Sequence, residues 1–161
     1  MTSRLINTLV FSVFLSLLIG TKPSTNGLKQ GNFSPYIEEF IQNLHRFDKD
    51  NLITDVKNLE VLFADDLEVG VIGACYFLMN RVEISRQYWM QAPIHERDEL
   101  IQHELGHCIL GLDHSKAPSI MQAGGVLGRV YKANYSALMN RHFGCPTGDC
   151  IKLTWDEERY K

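Results

Sequence analysis

Apolar positions recur along the chain with two periods. Tyr36, Ile37, Phe40, Ile41 and Leu44 return every three or four residues, the spacing of one helix face. Ser34-Pro35 stands just before them, a cap residue followed by a proline suited to a first turn, so a helix is expected to open there. Leu59-Glu60-Val61-Leu62-Phe63-Ala64 reads as a strand, residues 70–77 as a second and residues 81–85 as a third, with Met79-Asn80 turning a hairpin between the last two. A long helical pattern opens at Pro93 and runs through Leu110. Glu96, Asp98 and Glu99 lie in its first turns, where negative charge suits the helix dipole, and Gly111 stops it. Past Gly124-Gly125 a last helix is expected from about Val130 to Phe143. Helix, strands, helix, loop, helix is the order of an α+β domain.

The N-terminus carries a different pattern. Arg4 precedes an uncharged run from Leu5 to Thr21, and Gly20-Thr21-Lys22-Pro23-Ser24 closes it. A membrane span needs roughly 20 apolar residues. The run is shorter, and the basic start, apolar middle and small residues near the end form a signal-peptide layout. Residues 1–21 are read as an export signal, 22–33 as a linker and 34–161 as one domain. Without a clean Ala-x-Ala, an uncleaved N-terminal anchor is the alternative; in both cases the domain is secreted or periplasmic. No stable membrane insertion is expected once the signal is cut.

Composition narrows the class. A chain of 161 residues with a net charge of −3 has room for one core, and that charge gives no reason to propose nucleic acid as a partner. A monomer is expected. Outside the cytosol, four cysteines suggest disulfides. Cys145-Pro146-Thr147-Gly148-Asp149-Cys150 closes a small loop on turn residues, which makes 145–150 the preferred bridge and leaves Cys75 with Cys108; free buried thiols are the alternative for that second pair.

The chemistry is concentrated in His103-Glu104-Leu105-Gly106-His107-Cys108-Ile109-Leu110-Gly111-Leu112-Asp113-His114. Positions i and i+4 of a helix stand about 40° apart around its axis, so His103 and His107 point the same way and can share one metal ion. Glu104 falls beside that metal, where a base acting on an attacking water belongs. Ile101, Leu105, Cys108 and Leu112 cluster on the opposite, core-facing side, which argues against Cys108 as a ligand. His45, His95 and His142 lie outside the motif and read as surface residues. Tyr131 and Tyr135 read as core packing of the last helix, with approach to the site as the alternative.

Together with the helix break at Gly111, the third histidine at His114 and the loop Pro118-Ser119-Ile120-Met121, these residues resemble the metzincin clan of zinc endopeptidases, above all its matrixin-like members. The resemblance is strong over about residues 99–123. It extends more weakly to Gly73-Ala74-Cys75-Tyr76-Phe77, which is similar to the family's substrate-binding edge strand, and to Arg81–Ser85 and Trp89. It implies a small zincin domain: a twisted, mostly parallel sheet with an antiparallel edge strand, an active-site helix and a C-terminal helix. It implies Zn2+ on His103, His107 and His114, Glu104 as general base, Met121 as an apolar floor under the metal, and a peptide or protein as substrate. The family's capping cysteine has no counterpart between the signal and Ser34, so latency is either absent or left to a separate protein inhibitor.

One departure is visible. Three residues, where the family has two, separate His107 from Gly111, so His114 comes one place late and Asp113 occupies the usual position of the third ligand. Gly111 to His114 keeps the family's spacing, which favours His114; Asp113 remains the alternative. Two other functions fit the same residues: a zinc hydrolase acting on a non-protein amide or a peptidoglycan peptide, and a non-catalytic zinc-binding protein. Glu104 argues against the last, because a structural zinc site has no use for a base and usually closes its shell with a fourth protein ligand.

Overall fold

The computed structural model describes residues 33–123, 128–145 and 151–161. The segments expected from the sequence to be an export signal (1–21) and, for all but its last residue, a linker (22–33) lie outside them. Among the described residues no helix is long and apolar enough to cross a membrane.

Helix α1 (Ser34–Arg46) presents the expected face, with Tyr36, Ile37, Phe40 and Leu44 buried. Its N-cap is Phe33 rather than Ser34, and Pro35 sits in the first turn. Glu39 and Asn43 are buried on the same face, an acid and an amide that the apolar pattern does not reveal. Glu39 is compensated by the Tyr135 hydroxyl at 2.6 Å, by Asn43 at 3.2 Å and by an ion pair with Arg159. A short helix α2 (Ile53–Asn58) leads into strand β1 (Glu60–Ala64).

Strands β2 (Gly73–Tyr76) and β3 (Arg81–Ser85) complete a three-stranded sheet in the order β1-β3-β2. β3 runs parallel to β1 and antiparallel to β2. The sheet is thus evenly mixed rather than mostly parallel, with β2 as an antiparallel edge. β2 is also shorter than the expected 70–77: Gly70 has φ 87° and Val71 N–H closes a turn on the Glu68 carbonyl at 2.9 Å, so the chain enters the sheet only at Gly73. At its other end Phe77–Met79 coil into a single 3-10 turn, and Asn80, at φ 51°, reverses the chain into β3.

Ser85 caps helix α3 (Arg86–Gln91) by accepting from Tyr88 N–H at 3.3 Å. The helix buries Trp89 edge-on to Phe33 and Tyr36. Helix α4 (Ile94–Cys108) follows Pro93 and crosses behind the sheet, with Leu100, Ile101 and Leu105 buried. Asp98 and Glu99 belong to this buried side: Asp98 accepts from the Tyr131 hydroxyl at 2.6 Å and Glu99 from Gly128 N–H at 3.3 Å. Burial, partly offset by the Tyr131 bond, raises the Asp98 carboxyl to about 6.

The last helix is two helices, α5 (Arg129–Ala133) and α6 (Tyr135–His142). Asn134 breaks it at φ −117°, and its amide bonds back to the Val130 carbonyl at 3.0 Å, the competition with helical hydrogen bonding that asparagine brings. The chain ends in a 3-10 turn (Glu157–Tyr160) whose Tyr160 stacks on Tyr36 and on Trp155. Cys75 and Cys108 are bridged. Cys145 is also in a disulfide, while residues 146–150 of the expected 145–150 loop lie outside the described residues.

Candidate metal centre

Three histidines converge on one point. His103 and His107 project from successive turns of α4, and His114 arrives from the loop beyond Gly111. The Nε2 atom of His103 lies 3.1 Å from that of His107 and 3.2 Å from that of His114. The three offer ligand atoms within 4.8 Å of one another and could hold a metal ion. Asp113 is exposed and lines the cleft without joining this group.

Two of the rings are oriented by main-chain carbonyls. His103 Nδ1–H donates to the Ile120 carbonyl at 2.6 Å, and His107 Nδ1–H donates to the Leu112 carbonyl at 2.6 Å. Each ring then carries its proton on Nδ1 and aims the Nε2 lone pair at the shared centre. Burial lowers the pKa of both imidazoles below the ordinary histidine range, which favours the neutral form that ligates metal.

The departure in spacing is absorbed at the end of α4. Gly111 adopts φ 64°, and Leu112 N–H bonds to the Gly106 carbonyl at 3.0 Å, six residues back. A Schellman closure reaches back five. The added residue widens the closing turn by one position, and the chain still leaves it in the direction that delivers His114. Leu112 is thereby off the helix; it lines the cleft and supplies the carbonyl for His107 instead of joining the core face.

Met121 is buried, in a loop pinched shut by Ser115 N–H donating to the Met121 carbonyl at 2.6 Å. A Cβ on Gly106 would stand 2.6 Å from Met121 Sδ and 2.6 Å from His142 Cε1. Glycine at this position lets the loop and α6 close on α4 from below. His142, expected at the surface, is therefore buried: it follows Leu138 and Met139 onto the inner face of α6. Among the described residues neither of its ring nitrogens makes a hydrogen bond of ordinary geometry, and burial, partly offset by the main chain of Gln102, lowers its pKa to about 3. His45 is exposed and pairs with Asp50 at 2.8 Å. Tyr131 and Tyr135 are core residues bonded to buried acids and do not line the cleft.

Glu104 points into the same cleft and is only 4% exposed. Burial raises its carboxyl to about 7. A cation held by the histidines would favour the carboxylate and offset that effect. The cleft encloses about 780 Å³ between β2 on one side and α4 with the residue 111–122 loop on the other. Gly73, Ile72, Leu100 and Gln122 line it beside the histidines and Glu104. Sequence reasoning misses the Ile120 and Leu112 carbonyls, because main-chain acceptors leave no mark on residue type. The tight contact of Gly73 on Glu104 has a weak signal, a glycine inside an apolar strand.

Compared with known proteins, the chain matches no family model, no curated protein and no solved structure.

Proposed function

We propose that this protein is an exported zinc-dependent endopeptidase of the metzincin type, with His103, His107 and His114 as zinc ligands and Glu104 as general base. The observation that carries the reading is the pair of Nδ1–H bonds to the Ile120 and Leu112 carbonyls. With both protons committed there, the Nε2 atoms of His103 and His107 at 3.1 Å face each other as bare lone pairs. That contact is repulsive unless a cation lies between them. Nitrogens bound tetrahedrally at about 2.0–2.1 Å from zinc stand roughly 3.3 Å apart, close to the spacing present.

Three imidazoles leave one coordination position for water or substrate, as in catalytic rather than structural sites. Bound zinc supplies a polarised carbonyl and an acidified water. Glu104 takes a proton from the attacking water and returns it to the leaving amine, and its burial keeps that proton from bulk solvent. Among the described residues β2 is an edge strand, and it lines the cleft, so its open main-chain edge suits an extended peptide added as a further strand. This favours a peptide over other amides. Export is supported by the Cys75–Cys108 bridge, a bond that persists in oxidising compartments.

The test is metal content of the purified chain, measured alongside cleavage of a mixed peptide library before and after chelation. Zinc near one per chain, with cleavage lost on chelation and restored by added zinc, is the expected result. Zinc without cleavage would move the function to another amide or to binding; a chain that takes up no metal would remove the reading altogether.

A further inference from the structure

β2 forms one wall of the cleft. It is four residues long and, among the described residues, pairs only with β3. So short an edge strand, paired on one side, is among the elements that open most easily. It also lies against α4, where two close contacts join strand and helix. Cys75 is bridged to Cys108, the last residue of α4 and the neighbour of His107. Gly73 lies against Glu104 so closely that a Cβ there would stand 2.6 Å from Oε1 and 2.9 Å from Leu100 Cδ1.

These contacts form one register. Gly73 and Cys75 are two apart on a strand and share its face; Glu104 and Cys108 are four apart on a helix and share its side. Two strand residues advance about 6.7 Å and four helical residues about 6 Å, so strand and helix keep step between the two contacts. A slip of one residue would carry Ile72 or Ala74 onto Glu104, where there is no space for a Cβ.

We propose that the Cys75–Cys108 bridge positions the substrate strand: it locks β2 in the register that seats Gly73 on Glu104 and so holds the strand's open edge at a fixed place along the cleft. Cys75 and Cys108 are positioning residues, acting through β2. The proposal rests on the endopeptidase reading for its consequence in catalysis, and on the register alone for its consequence in the strand. A dithiol opens the bridge by exchange: the reagent is oxidised to its own disulfide, and Cys75 and Cys108 become thiols. A bridge that merely staples the fold behaves differently. It restrains the unfolded chain and leaves the folded cleft as it was.

The experiment compares the wild-type full chain with the double variant Cys75→Ser/Cys108→Ser, each checked for zinc content. Two quantities are read: amide hydrogen exchange over residues 73–76, and KM and kcat on a quenched fluorescent peptide chosen from the wild-type protein's cleavage of denatured casein. Equal zinc, exchange faster by about tenfold or more at residues 73–76, a KM raised about tenfold and a kcat within about threefold are expected, the pattern of lost binding without lost chemistry. Unchanged exchange and unchanged KM with a lower unfolding midpoint would make the bridge a staple and overturn the proposal. If the variant does not fold, folded wild type treated with dithiothreitol gives the same exchange reading. Should wild type cleave no peptide, the endopeptidase reading falls, and the exchange at residues 73–76 still decides the role of the bridge.

Discussion

His103 and His107 face each other with Nε2 atoms 3.1 Å apart while the Nδ1–H of each is held by a main-chain carbonyl at 2.6 Å. The arrangement fixes tautomer and direction together. On the zinc reading proposed above, each imidazole would contribute to metal binding through its own Nε2 atom. His103→Ala, His107→Ala and His114→Ala should each weaken zinc binding beyond the 10–100-fold typical of losing an outer-shell partner. Asp113→Ala should leave zinc stoichiometry at the wild-type value. Competition with a chromogenic chelator measures all four; an Asp113→Ala loss equal to that of His114→Ala would exchange their roles.

Gly106 is the point where the Met121 loop and α6 meet α4. Gly106→Ala places a methyl carbon where Met121 Sδ and the His142 ring already stand. Overpacking of this kind costs about 1–3 kcal/mol. A lowered unfolding midpoint in urea is expected, together with weaker zinc binding because the Met121 loop carries the Ile120 carbonyl that orients His103. An alanine variant as stable as wild type would mean that the loop yields without cost.

Burial of His142 should make the fold acid-sensitive. Its folded pKa of about 3 lies below the ordinary histidine value of 6.5, so the unfolded chain binds more protons across that window. Its contribution is complete above about pH 6.5 and is lost as pH falls towards 3, up to a few kcal/mol. Urea titrations of metal-free protein at pH 7, 5.5 and 4 test this. His142→Phe should lose less stability over that range than wild type; parallel losses would show that His142 takes up its proton without penalty.

Much of this arrangement is legible in the sequence. The faces of α1 and α4 follow from their periodicity, and the shared direction of His103 and His107 from their spacing. What the sequence hides are relationships made by the main chain or by tertiary burial. The turn of β2 into the sheet depends on Gly70 and on the Glu68 carbonyl, not on the apolar character of residues 70–77. Asn134 divides the last helix although its neighbours are helix formers of ordinary propensity. His142 reads as a surface residue because its polarity is seen before its neighbours are known, and a space left by Gly106 admits it; the burial of Glu39, compensated by Tyr135 and Arg159, leaves no mark in the apolar pattern. The added residue between His107 and Gly111 is visible in the sequence, but its accommodation in a wider closing turn is not.

The most direct test is the activity of Glu104→Gln against wild type at matched zinc content, on the same peptide and at pH 7. Glutamine keeps the size of the side chain in its buried position and removes the base. A fall in kcat of at least about 10²-fold with zinc still bound is predicted, the scale of a lost general base. Equal rates in the two proteins would contradict the account, because hydrolysis would then proceed without the carboxylate that α4 places in the cleft.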